Sequence, residues 1–346
     1  MSIHSQGAHE CCETPGRKRG IAWWIVGASL VLGGISFGSP LTRAFAVAFW
    51  GYLRMVGWAV LAGLVAGGVI DRFVPKEYIS KILAKPHKRT IFYATGLGLL
   101  ASACSHGILA LSMELHKKGA SGPAVISFLL ASPWANLPVT LLLIGLFGWK
   151  GMLIIAAAGL VALTTGLAFQ WLDRKGWIER NKHTVTFEEN FSIQSDLGNR
   201  LRAYRPSLSQ FAADLGAVAR GTFELSEMIL GWVMFGVVLA SLAQAYIPPH
   251  IFRSYLSSDL RGLLITLGFA TVLEVCSEGT APLAFEIYRQ TRALGNSFVF
   301  LSAGVITDYT EIGLVWTNLG RRSALWMVAL GIPQVLIWGY LFNRLF

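Results

Sequence analysis

Two cysteines with similar neighbours stand in apolar parts of this sequence. Cys104 opens the motif Cys-Ser-His-Gly, and Cys276 opens Cys-Ser-Glu-Gly. A single buried cysteine usually behaves as a small hydrophobic residue, but two matched thiolates can serve as soft ligands for a soft metal or metalloid. Neither cysteine has a partner at the spacing of a zinc site or of a redox Cys-x-x-Cys pair. We therefore predict that Cys104 and Cys276 bind a thiophilic ion transiently, with no resident metal or cofactor.

The residues that follow each cysteine favour an interrupted helix. Gly107 and Gly279 allow unusual backbone angles, while Ser105 and Ser277 carry hydroxyl groups. Half-helix ends inside a membrane supply partial charges that suit a polar or anionic ligand. Close packing of small residues between helices is the alternative explanation. These four residues are predicted to line a substrate site.

Ionisable and polar residues accompany the two motifs, mainly in the second half of the chain. Ionisable groups are costly inside a membrane and commonly mark a path for protons or substrate. The predicted proton-coupling residues are His106, Glu274, Glu278, Asp308 and Glu311. Asn136 and Thr307 are predicted to bind substrate as further polar lining. For His106 and Glu278 the alternative is a buried structural hydrogen bond.

A second matched pair of carboxylates has a different predicted role. Glu114 and Glu286 each have a basic residue three or four positions later, namely Lys117 and Lys118 in one case and Arg289 in the other. This spacing is typical of ion pairs on a helix surface. We predict structural ion pairs at an interface between helices, with a direct role in transport as the alternative.

The two motifs belong to an internal repeat. A shift of 172 residues aligns residues 104–136 with 276–308 without a gap, and eight of the 33 aligned pairs are identical. The repeat predicts two halves, 44–172 and 223–346. The other predicted parts are a cytoplasmic N-terminal tail (1–20), an extra N-terminal transmembrane helix (21–43) and a cytoplasmic linker (173–222).

The composition is that of a membrane protein. Hydrophobic residues make up 54% of the chain and charged residues 14%, against about 25% charged residues in soluble domains. Several uncharged runs reach the roughly 20 residues that span a bilayer as a helix. The net charge of +10 comes from basic loops, which orient the chain and meet anionic lipid. The predicted partners are the lipid bilayer and a small inorganic or organometalloid substrate, without nucleic acid.

The placement of Lys and Arg favours one topology over another. With nine full spans the loops divide these residues 14 to 14, whereas re-entrant hairpins at the two cysteine motifs place 21 inside and 7 outside. Cytoplasmic loops carry the excess of basic residues, so the hairpins are preferred. The fold class is therefore an all-α polytopic membrane protein with two inverted repeats, each carrying a broken or re-entrant Cys-Ser-x-Gly hairpin, and about 7 to 9 spans. Such repeats are common in secondary transporters.

The paired motifs and the following Ser-Phe-Leu-Leu-Ala-Ser-Pro-Trp-Ala-Asn-Leu-Pro stretch at 127–138 resemble the predicted permease family that includes the organoarsenical efflux permeases. In that family the first motif is often Cys-Ser-Cys-Gly, and the later one is Gly-Pro-x-x-Asn. Here His106 replaces the middle cysteine and Ser132 the glycine. The resemblance implies a secondary exporter of trivalent arsenicals or of another thiol-reactive species, in the inner (plasma) membrane.

Two other functions remain open at this stage. A membrane thiol oxidoreductase would also use buried cysteines, although it usually needs a second, resolving thiol. A transporter of a small sulfur-containing anion would hold its ligand with half-helix ends. No Gly-x-x-x-x-Gly-Lys-Ser/Thr motif is present in the sequence, so we predict a transporter that does not hydrolyse ATP and is not an enzyme. The oligomeric state stays open, with a homo-oligomer as one option.

Overall fold

The structure is a computed structural model that describes residues 21–73, 83, 88–98, 105–117, 119–135, 137–181, 208–273 and 277–346. These residues form helices and short connections and contain no β-strand. The helices up to residue 181 are α1 (Ile21–Ile35), α2 (Pro40–Phe73), α3 (Lys88–Leu97), α4 (Ser105–Lys117), α5 (Gly122–Ala135), α6 (Leu137–Phe147) and α7 (Trp149–Lys175). Those from residue 208 onward are α8 (Leu208–Tyr246), α9 (Pro249–Tyr255), α10 (Leu260–Val272), α11 (Ser277–Thr291), α12 (Leu294–Thr307), α13 (Tyr309–Asn318) and α14 (Arg321–Leu345).

Five helical segments of the described chain are long and apolar enough to cross a membrane, and a bent pair makes a sixth. The five lie in α2, α7, α8, α14 and the combined α12 and α13, while α5 and α6 form the pair, bent by 44°. The prediction of an all-α membrane protein is confirmed. The predicted 7 to 9 spans also counted shorter apolar segments, such as Ala22–Gly38 and Leu260–Val272, and that number stays a prediction.

The internal repeat is visible in the helix boundaries. Five pairs of helices begin 172 residues apart: α3 and α10, α4 and α11, α5 and α12, α6 and α13, and α7 and α14. Equivalent turns precede α7 and α14, where Gly148 and Gly320 have φ angles of 62° and 124°. Glycine adopts positive φ without the steric penalty of a Cβ atom. The α8 helix begins at Leu208, within the predicted linker.

The two halves pack against each other through equivalent helices. The α2 helix contacts α8, α5 contacts α12, and α7 contacts α14. The contact of α6 with α11 likewise has its counterpart in the contact of α4 with α13. This pattern is the one expected of two halves related by a twofold axis, which exchanges each helix with its equivalent.

Hydrogen bonds show which ends of the helices lie together. The α2 and α8 helices are antiparallel, because Tyr246 Oη donates to the Leu41 oxygen at 3.1 Å and Arg72 pairs with Asp214 at 2.7 Å. We call the end where α2 finishes and α8 begins the linker face, and the other end the opposite face.

The α6 helix returns along α2 and ends at the opposite face. Gly63 of α2 packs against Pro138 near the start of α6, and Ala59 packs against Gly145 near its end. The α7 helix follows after one residue, Gly148. It therefore starts at the opposite face and ends at the linker face.

Short connections after α4 and α7 meet at the linker face. Asn181 Nδ2 donates to the backbone oxygens of His116 at 2.7 Å and Ala120 at 2.8 Å, so the turn between α4 and α5 lies there. The Glu179 carboxylate accepts from the backbone N–H groups of Arg322 at 2.9 Å and Ser323 at 3.1 Å. The α14 helix therefore also begins at the linker face.

The end of α11 lies at the opposite face. Lys150 Nζ, in the first turn of α7, donates to Tyr288 Oη at 2.7 Å. Arg253 Nε, in α9, donates to the backbone oxygen of Gln290 at 3.3 Å. Because α9 directly follows α8, these contacts place the end of α8, the end of α11 and the start of α7 on one side.

The helix before each cysteine motif runs parallel to the helix two positions later. In the first half, Thr95 Oγ1 lies 2.9 Å from Ser127 Oγ, and Gly98 packs against Ala131, so α3 and α5 point the same way. In the second half, Asn296 Nδ2 donates to Thr266 Oγ1 at 3.2 Å and Thr271 Oγ1 donates to Thr307 Oγ1 at 3.0 Å, so α10 and α12 also point the same way.

Candidate functional site

Four helices of the described chain are too short to cross a bilayer on their own. The α4 and α13 helices have 13 and 10 residues and end at the linker face, whereas α6 and α11 have 11 and 15 residues and end at the opposite face. A helix rises about 1.5 Å per residue, so their starts lie roughly 15–22 Å from those faces. The hydrocarbon core is about 30 Å thick. The four starts therefore gather at central depth.

These starts form two pairs related by the repeat. The α4 and α13 helices contact each other and run in one direction, while α6 and α11 contact each other and run in the other. The first four N–H groups of a helix and the last four carbonyl groups have no partner within that helix. Because α5 and α12 end where α6 and α13 begin, the centre offers both N–H donors and carbonyl acceptors to a ligand.

Three predicted residues of the second motif form the buried first turn of α11. Ser277 and Glu278 are 3% and 1% exposed, and Gly279 is also buried. Ser277 Oγ donates to Glu278 Oε2 at 3.1 Å. The motif thus places a hydroxyl group and a carboxylate at a helix start at central depth.

A glycine on α8 permits the close approach of this turn. A Cβ atom on Gly236 would overlap the backbone oxygen of Gly279. The α8 and α11 helices can therefore touch backbone to backbone only because this position lacks a side chain. The role of Gly236 was not predicted, because it depends on how α8 packs against the distant α11 helix.

Asp308 begins α13 as its N-terminal cap. Its Oδ1 accepts from the backbone N–H groups of Thr310 at 2.6 Å and Glu311 at 3.1 Å. Aspartate is among the preferred capping residues, because its side chain satisfies N–H groups at the helix start. The Glu311 side chain is 3% exposed in the first turn. Asp308 therefore has a structural role that its predicted role in proton coupling did not include.

Thr307 is the last residue of α12, and it lies beside the end of α10. Its hydroxyl donates to the Ala303 oxygen at 2.7 Å and accepts from Thr271 Oγ1 at 3.0 Å. The end of α10, just before the second motif, thus lies beside the break between α12 and α13. Thr271 was not predicted, because the equivalent position in the first half is Leu99.

The remaining predicted site residues are not placed by the described structure. Cys104, Asn136, Glu274 and Cys276 lie outside the described residues, and Ser105, His106 and Gly107 are described only through the backbone of the first turn of α4. In the chain, Cys104 directly precedes α4 and Cys276 directly precedes α11. Among the described residues no cluster of three potential metal ligands occurs. The thiol site stays a prediction.

The predicted ion pair of Glu286 is confirmed, in a more buried setting than expected. Arg289 donates from Nε and Nη2 to the Glu286 carboxylate at 2.8 and 2.9 Å, and Glu286 is fully buried. Gln290 Nε2 donates at 2.6 Å, and Tyr52 Oη of α2 donates as well. The cluster ties the second half to α2. The Glu114 side chain lies outside the described residues.

A small cavity lies between equivalent parts of the two halves. Leu130 of α5 and Ser302 of α12, which occupy the same position in the repeat, both line it. Val161 and Ile306 contribute from α7 and α12. The Ser302 hydroxyl is buried and has no hydrogen-bond partner among the described residues. The cavity thus has a buried polar group, six residues before the break between α12 and α13 at Asp308.

Glu179, which lies outside the membrane, joins the two halves at the linker face. Burial raises the pKa of this carboxyl, but hydrogen bonds from the backbone N–H groups of Arg322 and Ser323 outweigh burial and lower the pKa below its ordinary value. The carboxylate also caps α14, whose own preceding residue is Gly320. The Glu179 carboxylate is therefore charged at neutral pH, and we call its contact with the start of α14 the Glu179 anchor.

Comparison with known proteins assigns the chain to a family. Residues 43–344 match the family described as ArsP_1, predicted permease. UPF0718 protein YcgR of Bacillus subtilis is 23% identical over 280 residues, covering 80% of this chain and 89% of that protein. "Putative permease Rv2963" of Mycobacterium tuberculosis is 24% identical over 287 residues, covering 79% and 70%.

A third relative, from Streptococcus mutans, is named "Putative two-component membrane permease complex subunit" and is 23% identical over 256 residues, covering 73% of this chain and 79% of its own length. No solved structure matches the chain. The family match covers all of the helices from α3 to α13 and most of α2 and α14. The chain is a multi-pass membrane protein that belongs to the ArsP_1 family of predicted permeases.

Proposed function

We propose that the chain is a secondary-active permease that exports a thiophilic metalloid or metal species, such as a trivalent arsenical, across the inner membrane. The observation that carries this proposal is the central position of the starts of α4 and α11, each directly preceded in the chain by a cysteine. A helix N-terminus favours the thiolate form of a neighbouring cysteine. Two thiolates at equivalent positions would form a soft site of low coordination number, suited to transient binding.

The proposed architecture has two re-entrant hairpins, formed by α3 with α4 and by α10 with α11. Support comes from the first half, where α2 and α4 both end at the linker face. The parallel course of α3 and α5 also supports a return of the chain at central depth, because α5 begins beside the end of α4. In the second half, α8 and α11 both end at the opposite face, which supports a hairpin entering from that side.

These hairpins imply inverted halves. The first half then crosses the membrane three times, through α2, the bent pair of α5 and α6, and α7. The second half also crosses three times, through α8, the combined α12 and α13, and α14. An odd number of crossings starts the second half on the opposite side from the first. Under the positive-inside rule the linker face is cytoplasmic. The substrate site of such transporters lies at the repeat interface near the midplane.

Glu278 is the proposed proton carrier that best fits the described contacts. Its carboxylate is buried at the start of α11, directly after the second motif, and accepts from Ser277. A carboxylate at central depth can alternate between the two faces as the permease changes conformation. His106 occupies the equivalent position of the repeat in α4, so the two groups are proposed to exchange a proton.

A small sulfur-containing anion is the second candidate substrate. The observation in its favour is that four helix starts gather at central depth, and helix N-termini bind anions through their N–H groups and dipole. In this version the cysteines would contribute little to binding.

Resistance profiling separates the two substrates. Cells lacking their own exporters would express the chain, and their growth would be measured against trivalent organoarsenicals, arsenite, antimonite, mercury and sulfur oxyanions. The proposed function predicts protection against one or more thiophilic species. Protection or growth effects confined to sulfur oxyanions would contradict it and support the second candidate.

A further inference from the structure

A groove on the linker face lies where the end of α7 meets the start of α14. It has a volume of about 520 Å³ and is lined by Trp177, Arg322, Leu325, Trp326 and Ala329. Trp177 comes from the segment after α7, whereas the other four belong to the first three turns of α14. The groove therefore lies between the two halves of the chain, far from the central site.

Aromatic rings form one wall of the groove. Trp177 stacks on Trp326 with ring centroids 6.0 Å apart and an interplanar angle of 22°. Trp171 packs edge-on against Trp177 at 5.7 Å, and Lys175 Nζ lies 4.2 Å above the Trp171 ring. The wall remains open to the surroundings, because Trp177 is 47% exposed. A rigid apolar surface with a polar rim is thus available to an amphipathic ligand.

The groove runs across the boundary between the polar and apolar zones of the membrane. The α14 helix begins with Arg321 at the linker face, so Trp326 lies about 7–8 Å deeper along the helix axis. Ala329 lies almost one further turn inward. Tryptophan is enriched at the membrane interface, where one side of its ring system is apolar and the N–H group is wet. One end of the groove is therefore at the depth of lipid headgroups and the other at that of acyl chains.

The charge at the headgroup end is positive. Arg322 lines the groove and has no ion pair among the described residues, while Lys175 and Arg321 rest on tryptophan rings. The carboxylate of the neighbouring Glu179 already accepts the backbone N–H groups of Arg322 and Ser323. The guanidinium group of Arg322 thus remains available to an anion.

We propose that this groove binds an anionic phospholipid of the leaflet at the linker face. The Arg322 guanidinium holds the phosphate group, and an acyl chain lies along Leu325, Trp326 and Ala329. Basic groups between helices on the cytoplasmic side attract anionic headgroups. A second copy of the chain fits less well, because five lining residues fall far short of the roughly 20–30 per side in a stable protein interface. The bound lipid would bridge the two halves beside the Glu179 anchor.

Native mass spectrometry of the full-length chain in detergent tests this proposal. Phosphatidylglycerol and phosphatidylcholine with identical acyl chains would be titrated separately, and the fraction of lipid-bound protein measured. We expect a first phosphatidylglycerol to bind more tightly than a first phosphatidylcholine. Arg322→Gln, which keeps the backbone N–H bond to Glu179, should weaken phosphatidylglycerol binding by about fivefold. Ala329→Phe, which fills the apolar end, should weaken the binding of both lipids.

Arg344→Gln is the matched control. Arg344 stacks on Tyr340 near the other end of α14, so its loss should leave the first phosphatidylglycerol bound as in the unaltered chain. Equal affinity for the two lipids, or equal effects of Arg322→Gln and Arg344→Gln, would overturn the proposal. So would a dimer whose formation is blocked by Ala329→Phe, because a second copy would then occupy the groove.

Discussion

Tyr52 of the first half donates a hydrogen bond to the fully buried carboxylate of Glu286 in the second half. The two residues are 234 positions apart in the chain, and they join α2 to the end of α11. Arg289 and Gln290 bind the same carboxylate from within α11. The bond therefore holds the second cysteine-motif helix against the first half at the opposite face.

Removal of this hydroxyl should destabilise the protein. Tyr52→Phe keeps the ring contact with Phe285 but removes one donor from a buried carboxylate, at a cost of about 1.5–3 kcal/mol. We expect a lower thermal midpoint for the variant in detergent. Tyr340→Phe is the control, since among the described residues the Tyr340 hydroxyl accepts a hydrogen bond only from Arg344, on the surface. Equal midpoints for the two variants would show that the buried bond contributes little.

A methyl group on Gly236 should disturb the start of α11. Gly236→Ala places a Cβ atom against the backbone oxygen of Gly279, and such overpacking costs roughly 1–3 kcal/mol. We expect a loss of both stability and transport. Gly216→Ala on the same helix is the matched control, because no atom of the described residues lies within 4 Å of its added Cβ. It should be neutral or stabilising; similar losses in both variants would contradict the proposed contact.

Two substitutions of Asp308 separate capping from proton coupling. Asp308→Asn retains an oxygen that can accept the N–H groups of Thr310 and Glu311, whereas Asp308→Ala loses the cap at a cost of about 1 kcal/mol. We expect the asparagine variant to keep stability and gradient-driven transport, and Glu278→Gln to lose gradient-driven transport. Facilitated exchange without a gradient would be measured as the control. Loss of coupling in Asp308→Asn with normal stability would make Asp308 a proton carrier as well.

The spacing between equivalent helices was predictable from the sequence. A shift of 172 residues, found from the cysteine motifs, recurs at the starts of five helix pairs because the same local sequence signals end and begin each helix. Gly148 and Gly320 illustrate this, since both supply the positive φ that the equivalent turns require. The burial and ion pair of Glu286 could be predicted only in part, because spacing gives Arg289 but cannot give Tyr52.

Contacts between distant segments account for most of what the sequence did not predict. Gly236 matters through one backbone atom of Gly279, and nothing in its own neighbourhood announces that contact. Glu179 looks like one residue of a mixed-charge linker, yet it caps a helix more than 140 residues later. The polar residues of α8 before Ile229 likewise resemble a linker, although the helix is continuous from Leu208. Tertiary packing extends that helix beyond its apolar part.

The proposed hairpins make a clear topological prediction. Single cysteines at residues 117 and 200, in a chain whose native cysteines are replaced, should react with an impermeant thiol reagent only from the cytoplasmic side. Cysteines at residues 253 and 289 should react only from the other side. The hydrogen bonds of Asn181 to His116 and Ala120, and of Arg253 to Gln290, are the physical reason. Labelling of residues 117 and 200 from different sides would contradict the hairpin architecture.

At the centre of the proposed function, Cys104 and Cys276 hold the transported ion. The most direct test measures the uptake of a trivalent organoarsenical into everted membrane vesicles that are energised by a proton gradient. Cys104→Ser and Cys276→Ser should each abolish uptake without reducing expression, because a hydroxyl group has nearly the size of a thiol but is not a soft ligand. Cys11→Ser with Cys12→Ser, in the N-terminal tail, should transport like the unaltered chain. Unchanged uptake by the Cys104→Ser, Cys276→Ser double variant would contradict thiol coordination.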